Sequence, residues 1–135
     1  METHPSLTDQ ISPLLTDLYY PSESDEPVEL ISCYLDQPEP LTVSQIKDWQ
    51  MVPPEVYVDE IPEEQFWQPV ITEQDWYDDT EKARTKRFQQ LKQVLEQHLT
   101  DRQVFRVGTI EVDLLLIGKQ ANGERVGIKT KVIET

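Results

Sequence analysis

The stretch TEQDWYDDTEKARTKRFQQLKQVLEQHL, residues 72–99, is the longest run of the chain that reads as one regular element. Trp76, Ala83, Phe88, Leu91, Val94, Leu95 and Leu99 recur in it at helical spacing, which lines them up along one stripe of an α-helix. The spacing predicts a helix over the whole stretch, with Thr72 capping the free amides of its first turn. Asp75, Asp78, Asp79 and Glu81 crowd the early positions, where the positive end of the helix dipole favours carboxylates, and Lys82, Arg84, Lys86, Arg87 and Lys92 follow. A helix with one apolar stripe needs a surface to lie on.

That surface is β-rich and lies largely C-terminal to the helix. Thr100-Asp101-Arg102 and Gly108-Thr109 read as turns around a strand at Gln103–Val107. Ile110–Gly118 follows, with Ile110, Val112, Leu114 and Leu116 on one face. Its other face starts with Glu111 and Asp113 and turns apolar at Leu115 and Ile117, so one end is exposed and the other is covered on both sides. Asn122-Gly123 is a strong hairpin signal. Arg125–Glu134 returns, with Val126, Ile128, Thr130 and Val132 on one face and Lys129 and Lys131 on the other. This strand runs almost into the C-terminus, so Thr135 and its carboxylate are expected close to the sheet.

N-terminal to the long helix, Leu7, Ile11, Leu14, Leu15 and Leu18 predict a short amphipathic helix within Ser6–Tyr19. Either Ser6 caps it and Pro13 kinks it, or Ser12 caps a shorter helix with Pro13 at its first position. Pro21–Pro27, with Ser22, Glu23, Ser24, Asp25 and Glu26 between the prolines, predicts a loop projecting into solvent. Val28–Leu35 reads as a strand that turns apolar on both faces, which suggests a central position in the sheet. Residues 36–71 are divided by prolines at 38, 40, 53, 54, 62 and 69, which exclude long elements. Thr42-Val43-Ser44-Gln45 resembles a capping box opening a short helix through Trp49, with Val43, Ile46 and Trp49 facing inward. Val56-Tyr57-Val58 suggests a brief strand, and Asp59 or Glu60 a cap for a helix carrying Pro62 in its first turn and Phe66 on its apolar side. Together these describe one domain over residues 1–135, an α/β protein with a mainly antiparallel sheet of at least four strands between helices, an α/β/α sandwich.

The formal net charge of −14 is unevenly placed. Residues 1–80 hold 19 acids and a single base, Lys47, whereas residues 81–135 hold seven acids and eleven bases. So acidic a first part is repelled by nucleic acid and by anionic membranes and attracted to basic surfaces. Cys33 is the sole cysteine, which excludes an intramolecular disulfide and suits a reducing compartment. Met1–Pro5 lacks the pattern of a signal peptide, and no apolar run approaches the ~18 residues of a membrane span. A cytoplasmic protein is expected.

Little points to an enzyme. His98 falls near the end of the long helix, where the dipole favours a cationic ring, and Cys33 alternates into a strand as a small core residue. Phosphate-binding glycine loops and His/Cys metal spacings are absent, and the chain has only four glycines. Asp75, Asp78 and Asp79 do not match a calcium loop, and a solvated helix start accounts for them. No catalytic residue, metal site or cofactor is therefore expected. An exposed acidic loop at Glu23, an acidic helix start at Asp75 beside Trp76, and an ordered terminal carboxylate remain. Acceptors of this kind imitate phosphates.

The second half closely resembles the nuclease A inhibitor family, small acidic proteins of cyanobacteria and relatives. The resemblance rests on Gln74-Asp75-Trp76-Tyr77, Phe88-Gln89, Gln103-Val104 with Arg106 and Gly108, Glu111-Val112-Asp113, Ile117-Gly118, Gly127-Ile128 and the ending Thr130-Lys131-Val132-Ile133-Glu134-Thr135. In the first half it reduces to Ser22-Glu23-Ser24, preceded here by Tyr20-Pro21. It implies an α/β/α sandwich with the topology of plant pathogenesis-related proteins and inhibition of a sugar-non-specific endonuclease of the ββα-metal type, in a 1:1 complex. It also implies that Glu23, Asp75, Trp76 and Thr135 enter the nuclease's active-site cleft, Thr135 approaching a magnesium ion that belongs to the nuclease. Ser22, Ser24, Asp25 and Glu134 are expected to support that contact. Trp76 has two readings, a core residue in register with the helix stripe or an exposed aromatic anchor. The alternative to nuclease inhibition is an acidic interaction module of the same fold that binds a different basic partner.

Overall fold

A computed structural model describes residues 7–20, 26–33, 39–121 and 123–133. In chain order the elements are α1 (Leu7–Leu15), β1 (Tyr19–Tyr20), β2 (Glu26–Pro27), β3 (Glu29–Cys33), α2 (Val43–Gln50), β4 (Val58–Ile61), α3 (Glu63–Ile71), α4 (Asp79–His98), β5 (Thr100–Val107), β6 (Glu111–Lys119) and β7 (Arg125–Ile133). Five strands form one antiparallel sheet in the order β3-β7-β6-β5-β4, and β1 pairs with β2 as a separate ladder. The protein is thus a mixed α/β domain built on a five-stranded antiparallel sheet.

The two-residue period of the strands explains how it is packed. Leu30, Val104, Val112, Leu114, Leu116, Val126, Ile128 and Val132 pack with Ile11 of α1, Phe66, Trp67 and Val70 of α3, and Phe88, Leu91 and Leu95 of α4. The alternate residues Ile31, Cys33, Phe105, Val107, Leu115 and Ile117 pack instead with Val43, Ile46 and Trp49 of α2. Val126, Ile128, Thr130 and Val132 are all buried on the face expected of them. The capping box of α2 is present: Gln45 N–H donates to Thr42 Oγ1 at 3.2 Å and the Thr42 amide donates to Gln45 Oε1 at 3.0 Å. Gln103 fills a gap between sheet and loop, its amide pairing with both backbone groups of Leu41 at 2.9 and 3.0 Å.

Several expectations need correction. The long helix begins at Asp79, not after Thr72. Asp78 accepts the Glu81 amide at 2.8 Å and Glu81 returns an acceptor to the Asp78 amide, so this aspartate provides the stronger start. Thr72 instead ends α3, its hydroxyl donating to the Gln68 carbonyl at 3.0 Å. The buried stripe of α4 is Thr85, Phe88, Leu91 and Leu95, continued by the C-cap Leu99, whereas Ala83 is exposed. β3 is an edge strand rather than a central one. Its two apolar faces arise because both sides of the sheet are covered out to this edge, Leu30 on one side and Ile31 and Cys33 on the other.

The brief strand near Tyr57 starts only at Val58 and takes in Asp59 and Glu60, so neither of those acids caps α3; Pro62 precedes that helix without a side-chain cap. Thr100–Arg102 belongs to β5, where a register shift before Gln103 and a positive φ of 50° at Asp101 take up the irregularity read as a turn. Ile110 lies outside β6 and is exposed. Helix α1 runs continuously through Pro13, which excludes a start at Ser12. The β6–β7 turn places Gly123 at φ 89°, as a hairpin glycine requires. Ser6, Tyr34, Leu35 and Asn122, which the sequence assigns to a cap, a strand and a hairpin turn, lie outside the described residues.

Candidate partner-binding surface

Between the cap that ends α3 and the cap that opens α4, the chain makes a turn closed by Tyr77 N–H donating to the Gln74 carbonyl at 3.1 Å. This turn carries Asp75 and Trp76. Both are exposed, Trp76 by 76%, so the indole lies on the surface and not in the core. Its one aromatic neighbour is Tyr77, edge-on at 6.0 Å. The turn has firm supports on either side: Gln89 Nε2 donates to the Ile71 carbonyl at 2.8 Å, and the Asp78–Glu81 box fixes the start of α4.

Ser22, Glu23, Ser24 and Asp25 lie outside the described residues, but the two flanks of their segment are well held. Tyr20 pairs with Glu26 and Tyr19 with Pro27. Tyr20 is buried between Phe66 and Phe88, and its hydroxyl donates to the Phe66 carbonyl at 2.6 Å. Burial pushes its phenol well above the ordinary tyrosine range. On the other flank, the buried Thr130 hydroxyl faces the carbonyls of Pro27 and Glu26 at 3.1 and 3.4 Å.

Glu134 and Thr135 also lie outside the described residues. The strand leading to them is in register to its last described residue, with Ile133 opposite Glu111 and Val132 opposite Val112.

These flanks share one end of the molecule. Helix α4 enters β5 with only Leu99 between them, so its last turn lies at the Thr100 end of the sheet. Twenty residues span about 30 Å, which carries the first turn of α4 to the end where β5 finishes and Ile133 lies. Tyr19 confirms the proximity of the first flank, because Asp17, Leu18 and Tyr19 line a groove of about 430 Å³ with Asp79, Thr80, Ala83, Arg84 and Arg87 of α4. Arg87, one of the residues lining the groove, donates to the Thr16 carbonyl at 2.6 Å.

The sheet end itself is charged, with Lys131 Nζ 4.0 Å from Glu111 Oε2 and Lys129 Nζ 4.0 Å from Asp113 Oδ2. Such partly exposed pairs hold little energy. The Asp113 Oδ1 atom has no hydrogen-bond partner among the described residues.

No group of His, Cys, Asp and Glu side chains among the described residues is arranged to hold a metal ion. Asp78 is engaged as a cap, which separates it in function from Asp75. His98 is exposed on the last turn of α4, and Cys33 is buried. No helix among the described residues is long and apolar enough to cross a membrane. Two exposed side chains at the same sheet end, Tyr57 and Ile110, escape a reading by strand alternation. The signal for Ile110 is its place two residues after Gly108, whose φ of 106° makes the residues that follow it a turn and not yet a strand.

The chain has no match among curated proteins. The family model described as Nuclease A inhibitor-like protein matches residues 5–135, and this chain, with its exposed Asp75-Trp76 turn and antiparallel sheet, belongs to that family.

Proposed function

We propose that this protein inhibits a sugar-non-specific endonuclease of the ββα-metal type by occupying its substrate cleft. Family membership supports nuclease inhibition, and the exposure of Trp76 beside Asp75 is the structural observation that carries the choice of surface. An exposed tryptophan on a well-supported turn loses little freedom on docking and buries a large apolar area, which is how interface anchors act. Asp75 and Glu23 meet cationic groups that otherwise hold phosphates, and Thr135 reaches toward the nuclease's magnesium, with Ser22, Ser24, Asp25 and Glu134 alongside. The inhibitor needs no cofactor, performs no catalysis and acts 1:1 in the cytoplasm.

The apolar clusters on the two sides of the sheet favour reading the architecture as a three-layer α/β/α sandwich of the plant pathogenesis-related type. In that arrangement the layers support the Asp75-Trp76 turn and the described flanks of the other two segments at one end.

The test is titration of a purified ββα-metal endonuclease, in magnesium buffer at low salt, against the full chain. DNA cleavage falls to zero at one equivalent if the reading holds. Undiminished cleavage at micromolar protein rejects it, and a basic protein other than a nuclease recovered by pull-down then supports the alternative of an acidic interaction module.

A further inference from the structure

Five large hydrophobic residues are exposed among the described residues: Tyr19, Met51, Tyr57, Trp76 and Ile110. Met51 is accounted for by its place as the left-handed C-cap of α2. Trp76 sits on the turn before α4, and Tyr19 against the first turns of that helix. Tyr57 and Ile110, at 57% and 62% exposure, remain. Tyr57 immediately precedes β4, and its carbonyl accepts the Gly108 amide at 2.7 Å. This bond ties it to the β5–β6 turn, whose tip carries Ile110. The turn requires glycine at position 108, since a Cβ there would strike the carbonyl oxygen of Glu111.

The sheet order fixes where this pair lies relative to the end of β7. Ile133 at the end of β7 pairs with Glu111, next in sequence to Ile110. From β7 to β4 is three strand spacings, about 14 Å at ~4.8 Å each. A standard protein–protein interface, about 800 Å² on each partner, readily includes both. Exposed carboxylates flank the apolar residues: Glu55 near Tyr57, Glu111 beside Ile110, and Glu73, Asp75, Asp78 and Asp79 around Trp76. Such interleaving matches a cationic protein surface with apolar depressions, and it repels nucleic acid and other acidic proteins.

We infer that Tyr57 and Ile110 form a second anchor for the nuclease, at the same end of the sheet as the Trp76 turn and toward its β4 edge. The pair contacts the nuclease surface that borders the cleft, while Trp76 serves the cleft itself. This inference rests on the inhibitor reading and assigns the width of its footprint.

The experiment compares the wild-type chain with Tyr57→Ala, Ile110→Ala and the double variant, by inhibition titration and by direct calorimetric binding to a purified ββα-metal endonuclease with magnesium. Each single change weakens binding about tenfold, as expected for truncating an interface anchor, and the double change weakens it further. Ile110→Lys, which sets a cation against the basic partner, weakens it more than Ile110→Ala. Thermal melting of each variant within a degree or two of wild type attributes the loss to contact rather than folding. Wild-type affinity retained by both alanine variants overturns this inference while leaving the inhibitor reading intact. A wild-type chain that does not bind the nuclease overturns both.

Discussion

The Thr130 hydroxyl lies 3.1 Å from the carbonyl of Pro27, so the last strand of the sheet holds the base of the segment that carries Glu23. Thr130 is buried, and its proton is shared with the Glu26 carbonyl at 3.4 Å. Thr130→Val keeps the shape and removes the donor. Stability is expected to fall by about 1–2 kcal/mol, because the Pro27 carbonyl loses its partner. Under conditions where the variant is fully folded, inhibition should weaken several-fold, with Thr130→Ser close to wild type. Urea melts and inhibition titrations measure the two effects separately; unchanged inhibition by a folded Thr130→Val would show that the tie does not position the segment.

Tyr20 anchors the opposite flank and makes the protein sensitive to alkali. Its phenol is raised by burial, so the folded state keeps the proton to a higher pH than the unfolded chain does. Above the unfolded value of about 10, the unfolded state binds fewer protons than the native state, and stability falls as pH rises. The stabilisation is complete below that value and is lost progressively toward the folded value. Tyr20→Phe should flatten this alkaline decline. Near neutral pH it should cost about 1 kcal/mol, since the Phe66 carbonyl loses its 2.6 Å donor. Denaturant melts between pH 8 and pH 11 give both quantities.

Asp78 separates the start of α4 from the Asp75-Trp76 turn before it. Asp78→Ala removes the acceptor of the Glu81 amide and should destabilise the protein by about 1 kcal/mol, whereas Asp78→Asn retains the cap and costs less. The fluorescence anisotropy of Trp76, resolved from that of Trp49 and Trp67 by difference against Trp76→Phe, reports whether the turn loosens with the cap. A stable Asp78→Ala variant with unchanged anisotropy would assign the turn's rigidity to the Gln89–Ile71 bond instead.

The parts of this fold that were legible in the sequence are those where one local rule operates alone. Val126, Ile128, Thr130 and Val132 alternate in a strand with few competing signals, and all four are buried. Thr42 and Gln45 form their box as written. The errors fall where two rules compete. Trp76 lies seven residues before Ala83, which suggests a common helical stripe, but Asp78 is the better cap and leaves the tryptophan outside the helix. β3 reads as central because both its faces are apolar, yet that pattern records coverage of the sheet and not the number of neighbouring strands. Of the residues proposed for binding, Asp75 and Trp76 could be found from the family resemblance, whereas Tyr57 and Ile110 become visible only when chain order is replaced by sheet order.

Trp76 provides the clearest separation between folding and binding. With the indole 76% exposed, Trp76→Ala removes almost no core contact, and stability should change by no more than about 0.5 kcal/mol. Loss of an aromatic anchor is expected to weaken inhibition by about 30-fold or more, equivalent to at least ~2 kcal/mol. Trp76→Phe should recover part of that affinity because it restores apolar area on the same turn. Asp75→Asn tests the electrostatic half of the contact: its effect should shrink as salt rises from 50 to about 500 mM, because screening weakens the charge, whereas that of Trp76→Ala should persist. Inhibition curves for the three variants at both salt concentrations decide the matter, and a Trp76→Ala protein that inhibits as well as wild type would remove this turn from the interface.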